Sequence, residues 1–438
     1  MGSKKGAGGQ SAAPSVSPKK APASDRVVFG VMGCGKHCIE MTEMLLNRPD
    51  VGVKIICDPD SARHGPMAAM VEEKTGRAPE RVQDFRKALD DPDVDAMLII
   101  TGHNWHSLAT IMSCQAGKDV YVEKPLSLTL WEGRKAVEAA RKYGRVVQVG
   151  TQTRSAPDFR EAVKYVQSGR LGTVYLVRGQ EFGLHPPTEI PATDEAEPIP
   201  ETLDYDLWCG PAPKAPYHPG RWWWASWDYW VGMGDHAAHQ LDMMRAFTDQ
   251  RHPKAVCCMG GVHHLDDGRE LPDSLYVMYE YDGFNMIWQG AGWSNHFETP
   301  FHAGSEGLEG RRWAVKNRVD VMGTDGTLFM ARRNVGWQVF QRRERKQIIA
   351  ASHPQGPHPT ALHIDNFLDC VRTRERPNAD VEEAHLSMLL FHIAAAAYRS
   401  GRLSLRFDGE TETFVDCPEA NQYLRRRGRA PWLIPDQV

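Results

Sequence analysis

Three short segments carry residue types able to move a proton and a hydride. Glu123-Lys124-Pro125 follows the apolar run Val120–Val122, which reads as a buried strand. Gly33-Cys34-Gly35 follows another such run, Val27–Val31. A lysine just past a strand end, in a domain that opens with a dinucleotide-type turn, is placed beside the cofactor to act on the proton of a substrate alcohol. The third segment, Gly234-Asp235-His236-Ala237-Ala238-His239, sets a carboxylate and an imidazole one helical turn apart. Oxidising an alcohol needs an acceptor for its proton and another for its hydride, and these segments offer both.

The glycine turn specifies the cofactor. Gly33 and Gly35 allow a tight turn and close approach of backbone to a pyrophosphate. A helix starting near Lys36 and His37 then points its N–H groups at the phosphates, with Cys34 inside the turn. Cys38 stands where the third glycine of the fingerprint is usual, and its small side chain still permits close helix–strand packing. Asp58, at the end of the second strand, is expected to bind the adenosine ribose hydroxyls and repel a 2′-phosphate. NAD is therefore expected over NADP, although Arg63 lies nearby in sequence.

The elements behind these segments alternate. Short apolar runs at Val27–Val31, Val53–Cys57, Met97–Ile100, Val120–Val122 and Val146–Val149 fit strands buried on both faces of a parallel sheet. Helical stretches at His37–Arg48, Leu108–Ala116 and Glu132–Tyr143 lie between them, with Gly117 and Gly144 at C-cap positions. This predicts a doubly wound α/β domain over residues 26–150. From residue 151 the pattern becomes α+β. Runs at Ala255–Met259, Leu275–Tyr281, Met286–Gly290 and Arg318–Met322 read as a mostly antiparallel sheet, bracketed by helical stretches such as His385–Tyr398. Residues 151–438 are read as the substrate-binding and oligomerisation domain. Residues 1–25, rich in Gly, Ala, Ser, Pro and Lys, read as a disordered tail or the remnant of a removed leader.

Composition excludes some partners. With 438 residues, 41% hydrophobic, and a net charge of −4, nothing argues for nucleic acid, and the run Arg425–Arg427 reads as a solvated surface or an ion-pair site. No apolar run approaches the roughly 20 residues that span a bilayer. Nine cysteines without Cys-x-x-Cys spacing fit reduced, buried thiols in the cytoplasm, or a periplasmic protein if a leader has been removed.

The stretch Ala116-Gly117-Lys118-Asp119-Val120-Tyr121-Val122-Glu123-Lys124-Pro125-Leu126 resembles the glucose–fructose oxidoreductase/inositol dehydrogenase family, Gfo/Idh/MocA. So do the Gly33 turn, the Asp235…His239…Asp242 segment and the turn Gly323-Thr324-Asp325-Gly326, and the resemblance covers about residues 26–438. It implies an N-terminal Rossmann domain and a C-terminal domain on a large open sheet that often forms an oligomer interface, here a dimer or tetramer. It also implies a catalytic set of Lys124, Asp235 and His239, with Asp242 at a position that often binds substrate hydroxyls. His239 titrates in the working pH range and is read as general base; Asp235 orients it or binds a hydroxyl, and Lys124 stabilises developing alkoxide. His236 reads as structural. The sequence departs at Thr101-Gly102-His103-Asn104-Trp105-His106, where the family often has proline after the threonine. Thr101, His106 and Glu123 complete the expected cofactor contacts.

Arg221-Trp222-Trp223-Trp224-Ala225-Ser226-Trp227-Asp228-Tyr229-Trp230 precedes the third segment. Aromatic faces stack on the C–H faces of sugars, so Arg221 and Trp223 are read as substrate contacts, most of the other tryptophans as core. His185, His296 and His302 are further loop candidates. The spacing His236-x-x-His239-x-x-Asp242 permits a metal in principle, but i and i+6 diverge on a helix, so no metal is expected. The expected activity is NAD-dependent oxidation of a hydroxyl carbon of a sugar, sugar derivative or cyclitol. The alternative is an NAD-dependent glycosidase that oxidises a ring carbon transiently, eliminates the aglycone and reduces the ring again.

Overall fold

The computed structural model describes residues 26–182, 196–219, 226–291, 317–331, 336–341, 348–352 and 357–438. Arg221, Trp223, His185, His296 and His302, all singled out above, lie outside the described residues.

The first sheet runs through β1 (Val27–Met32), α1 (Lys36–Leu46), β2 (Val51–Cys57), α2 (His64–Thr75), β3 (Glu80–Val82) and α3 (Arg86–Asp90). It continues through β4 (Ala96–Ile99), α4 (His103–Gln115), β5 (Asp119–Val122), α5 (Leu130–Lys142) and β6 (Val147–Val149). Its six parallel strands lie in the order β3-β2-β1-β4-β5-β6, the doubly wound arrangement expected. The order reverses between β1 and β4, and a crevice opens there at the carboxyl ends of the strands. β3 was not foreseen: Glu80 and Arg81 are exposed on a sheet edge and carry no apolar signal. α4 begins at His103, a turn and more before its apolar stripe at Leu108. Its first turns are polar but buried, so hydrophobic periodicity cannot mark them. α5 starts at a capping box in which Thr129 and Glu132 satisfy each other's backbone N–H, contributing about 1 kcal/mol.

Beyond β6 come α6 (Pro157–Gln167), β7 (Val174–Phe182), α7 (Tyr205–Cys209), α8 (Gly234–Thr248), β8 (Ala255–Gly261), β9 (Ser274–Glu280) and β10 (Asn285–Ala291). Then follow β11 (Asn317–Gly323), β12 (Gly326–Ala331), β13 (Trp337–Gln341), β14 (Ile348–Ser352), α9 (Pro359–Thr373), α10 (Val381–Arg399), β15 (Ser404–Asp408) and β16 (Thr413–Phe414). The ten-stranded sheet has the order β14-β13-β12-β11-β7-β10-β9-β8-β15-β16. Its pairs are antiparallel except β7 with β10. This is the large, mostly antiparallel sheet that was expected. Trp288, Val277, Tyr279, Val319 and Val321 on one of its faces pack against α6, α8 and α10.

Two later segments return to the first sheet. From α9, Ile364, Phe367 and Leu368 join a core with Val27, Phe29 and Val31. Trp432, Ile434 and Val438 join the core on the other side with Met97, Val120 and Ala136. A strap of residues 202–212 also lies against it. Thr202 O accepts from Ser61 N at 2.9 Å and from Gln83 Nε2 at 3.0 Å, and Asp204 N donates to Pro59 O at 2.9 Å. Leu207 O accepts from the Trp105 indole at 2.8 Å, and Arg429 holds the carbonyls of Asp206 and Ala212. Among the described residues, no helix is long and apolar enough to cross a membrane.

Candidate active site

The crevice begins at the glycine turn. Gly33 has φ +110°, and a Cβ there would stand 2.0 Å from the carbonyl oxygen of Ile100, so only glycine fits. Gly35 caps α1, whose first residues Lys36 and His37 border the cavity. Cys38 is buried beneath the turn. Cys34 contributes its backbone: its N–H donates to Asp58 Oδ2 at 2.8 Å, while burial pushes its thiol up to about 12.

Asp58, just past β2, also accepts from Asp60 N at 2.9 Å. Burial raises its pKa against these two hydrogen bonds. The residues present fit NAD. A Gly33 cradle that a Cβ would fill and the start of an 11-residue helix suit a pyrophosphate, and a carboxylate past the second strand suits ribose hydroxyls.

The cavity, about 510 Å³, runs from this turn to Lys124 and Asp235, and Leu207, Trp208, Tyr229 and Trp230 form part of its wall. Glu123 is buried below. Its carboxylate accepts from Gln152 Nε2 at 2.9 Å and from Lys124 N at 3.0 Å. His37 lies 3.6 Å from Glu123, and that contact holds the imidazole above its ordinary pKa. Lys124 Nζ meets Asp235 Oδ1 at 2.5 Å and Asp235 O at 3.3 Å, joining the two sheets' domains across 111 residues of sequence. Burial opposes ionisation of Asp235, but the Lys124 ammonium, His103 and His236 outweigh it and hold the carboxyl well below the usual range.

Thr101 and His106 border the same cavity. His106 is wedged between backbone carbonyls, Pro125 O at 2.7 Å and Thr101 O at 3.1 Å, and burial pushes its pKa down to about 4. It fixes the Lys124 loop against α4. His103, passed over in favour of His106, is the residue that sequence reasoning missed. It is 4% exposed, lies 3.4 Å from Asp235 Oδ1 and stacks on Trp230 with ring centroids 3.3 Å apart. Its one signal was the departure from proline at Gly102, which opens the first turn of α4 to a different set of side chains.

The remaining expected residues lie elsewhere. His239 is half-buried on α8 and does not line the cavity. His236 faces Asp235 and Glu181, at 3.7 Å and 3.6 Å. Asp242 is 1% exposed and does not reach the cavity. Both its oxygens accept from Arg154 Nε at 2.8 Å, and Ser387 Oγ donates to it at 2.8 Å. Its carboxylate thus forms an internal ion pair with Arg154.

Comparison with known proteins agrees with this architecture. Residues 27–151 match the oxidoreductase family model for the NAD-binding Rossmann fold. Residues 161–315 and 344–434 match that family's C-terminal alpha/beta domain. The scyllo-inositol 2-dehydrogenase (NAD(+)) of Bacillus subtilis is 32% identical over 29% of this chain and 36% of that protein. The myo-inositol 2-dehydrogenase of Thermotoga maritima is 28% identical over 40% of this chain and 47% of that protein. The chain thus spans about half the length of the curated relatives it matches, or less. The WlbA dehydrogenase of Bordetella pertussis, solved with NADH and UDP-GlcNAcA, shares the fold: TM-score 0.62 at 19% identity, over 87% of this chain and 99% of that one. With both family models matched across both domains, the chain belongs to the Gfo/Idh/MocA oxidoreductase family.

Proposed function

We propose that the protein oxidises, with NAD, a hydroxyl-bearing carbon of a sugar, sugar derivative or cyclitol. The observation that carries this reading is the Lys124–Asp235 ion pair at the inner end of a cavity that begins at a dinucleotide turn. NAD, when bound, supplies the hydride acceptor. The turn at Gly33 and Gly35, with the first residues of α1, would hold its phosphates, and Asp58 its ribose. Asp235 holds Lys124 in place, so the ammonium donates to the reacting oxygen and stabilises negative charge as the O–H proton leaves. Trp230 and Trp208 offer apolar ring faces of the kind that pack on sugar C–H groups. The two curated relatives named above, both inositol dehydrogenases, support a polyhydroxylated substrate.

Incubation with NAD and a panel of free sugars, cyclitols and aryl glycosides tests the reading. NADH formation with one or more polyols is the expected outcome. Release of an aglycone without net NADH would replace it with the transient-oxidation glycosidase.

Asp58→Ala is expected to weaken NAD binding by about tenfold or more and to relax the rejection of NADP, because the carboxylate that recognises unphosphorylated ribose is gone. Calorimetric titration with both cofactors checks this, and unchanged affinity for each would remove Asp58 from the cofactor site.

We also infer a homo-oligomer, joined through the open face of the ten-stranded sheet. Met259, Tyr276 and Met278 from neighbouring strands are 62%, 48% and 46% exposed there. Light scattering on the eluted protein measures the assembly.

A further inference from the structure

We infer that His103, at the start of α4, is the group that takes the substrate's hydroxyl proton. The inference rests on the oxidoreductase reading above and goes beyond it by naming the proton acceptor and the tautomer in which it waits. The observation is the sharing of one carboxylate. Asp235 Oδ1 meets Lys124 Nζ at 2.5 Å and His103 Nε2 at 3.4 Å. An ionised carboxylate only accepts, so Nε2 carries the ring proton and Nδ1 is left with its lone pair. Among the described residues, Nδ1 has no hydrogen-bond partner, although the ring is 4% exposed. A buried, unpaired acceptor costs free energy, and a substrate hydroxyl would supply the missing partner.

The ring itself is fixed. Trp230 stacks on it with an interplanar angle of 17°, and both rings line the cavity together with Lys124 and Asp235. The arrangement is that of a carboxylate–imidazole dyad, in which the acid orients the ring and the far nitrogen acts. His239, the base expected from spacing, has no such place in the cavity wall. The groups that face His103 are Asp235 from α8, Lys124 from the loop after β5, and His106 on its own helix, 5.5 Å away between centroids. Burial lowers its pKa, and Asp235 offsets only part of that, so the ring is neutral and ready at neutral pH.

In the step itself, the O–H proton would pass to His103 Nδ1, and NAD, held at the Gly33 turn and Asp58, would supply the acceptor for the carbon's hydrogen and its electron pair. A C=O bond forms, and the imidazolium returns its proton to water. Lys124 holds the oxygen throughout.

Two measurements test this. Nitrogen NMR of ¹⁵N-histidine-labelled protein reads the tautomer without any substrate. His103 is expected as Nε2–H with a bare Nδ1 at neutral pH; an Nδ1–H tautomer or an imidazolium would overturn the inference. The second measurement uses His103→Gln, which keeps an N–H donor toward Asp235 and similar bulk but cannot accept the proton. Wild-type kcat/KM is expected to rise with pH through a limb below the ordinary imidazole value of 6.5. His103→Gln should lose that limb and about 10²-fold in rate, with its thermal midpoint and NAD affinity retained, while His239→Gln keeps the limb. A wild-type limb in His103→Gln, or its loss in His239→Gln, would overturn the assignment. If no polyol on the panel reduces NAD, the oxidoreductase reading fails, and the NMR tautomer still decides the state of His103.

Discussion

Replacing Lys124 by alanine is expected to lower turnover by about 10²-fold or more, the usual scale for a lost charge-stabilising group. The ammonium is held at 2.5 Å by Asp235 and bordered by cavity. The turn at Gly33 and the Asp58 carboxylate are untouched by the change. NAD affinity should therefore survive, and steady-state kinetics beside calorimetry separate the two effects. Asp235 keeps two neighbours besides Lys124, the His103 Nε2–H at 3.4 Å and the His236 ring at 3.7 Å, so removing the lysine leaves the buried carboxylate partly compensated. That makes a folded variant the expected outcome. Near-normal turnover would take Lys124 out of the chemistry.

Asp242→Ala should act on stability instead. The carboxylate and the Arg154 guanidinium are 1% and 12% exposed, and removing one partner of such a pair leaves a buried charge. The expected loss is about 3–5 kcal/mol, read as a lower denaturant midpoint at unchanged slope. Glu383, 3.3 Å from Arg154, provides partial relief and pulls the figure toward the lower end. Replacing both partners, as Arg154→Met with Asp242→Leu, should recover most of the loss, since a buried pair exchanged for apolar groups is often neutral. The alternative, that Asp242 grips a substrate hydroxyl, predicts a raised KM in a variant of normal stability.

The physical reasons for what was legible differ by element. Strands β1, β2, β4, β5 and β6 are buried on both faces, so their apolar runs are nearly continuous and short, and the parallel sheet could be read from them. The Glu123-Lys124-Pro125 loop follows from its place at a strand end. That Lys124 would meet Asp235 was not legible, because nothing local couples residues 111 apart. The spacing Asp235…His239…Asp242 gave a helix face correctly but not the neighbours of that face: Asp242 turns toward Arg154, while Asp235 reaches the cavity. His103 stayed hidden because a polar residue buried in a helix's first turn adds nothing to hydrophobic periodicity. The strap over the crevice is hydrogen-bonded chiefly through backbone carbonyls, a kind of contact indifferent to side-chain identity.

The two segments that return to the first sheet also bear on the order of synthesis. Val27, Phe29 and Val31 leave the ribosome early, yet they pack against Ile364, Phe367 and Leu368. On the opposite side, Met97 and Val120 wait for Trp432 and Ile434. Domains of a growing chain generally fold in order as they emerge. Here the cofactor domain emerges before the segments that complete its two cores, and part of the apolar surface on each side of its sheet stays uncovered until residues 364–438 follow. A nascent chain of this protein therefore presents a long-lived target for chaperones. Deletion of residues 359–373 or 432–438 should show up first as aggregation of the dinucleotide half.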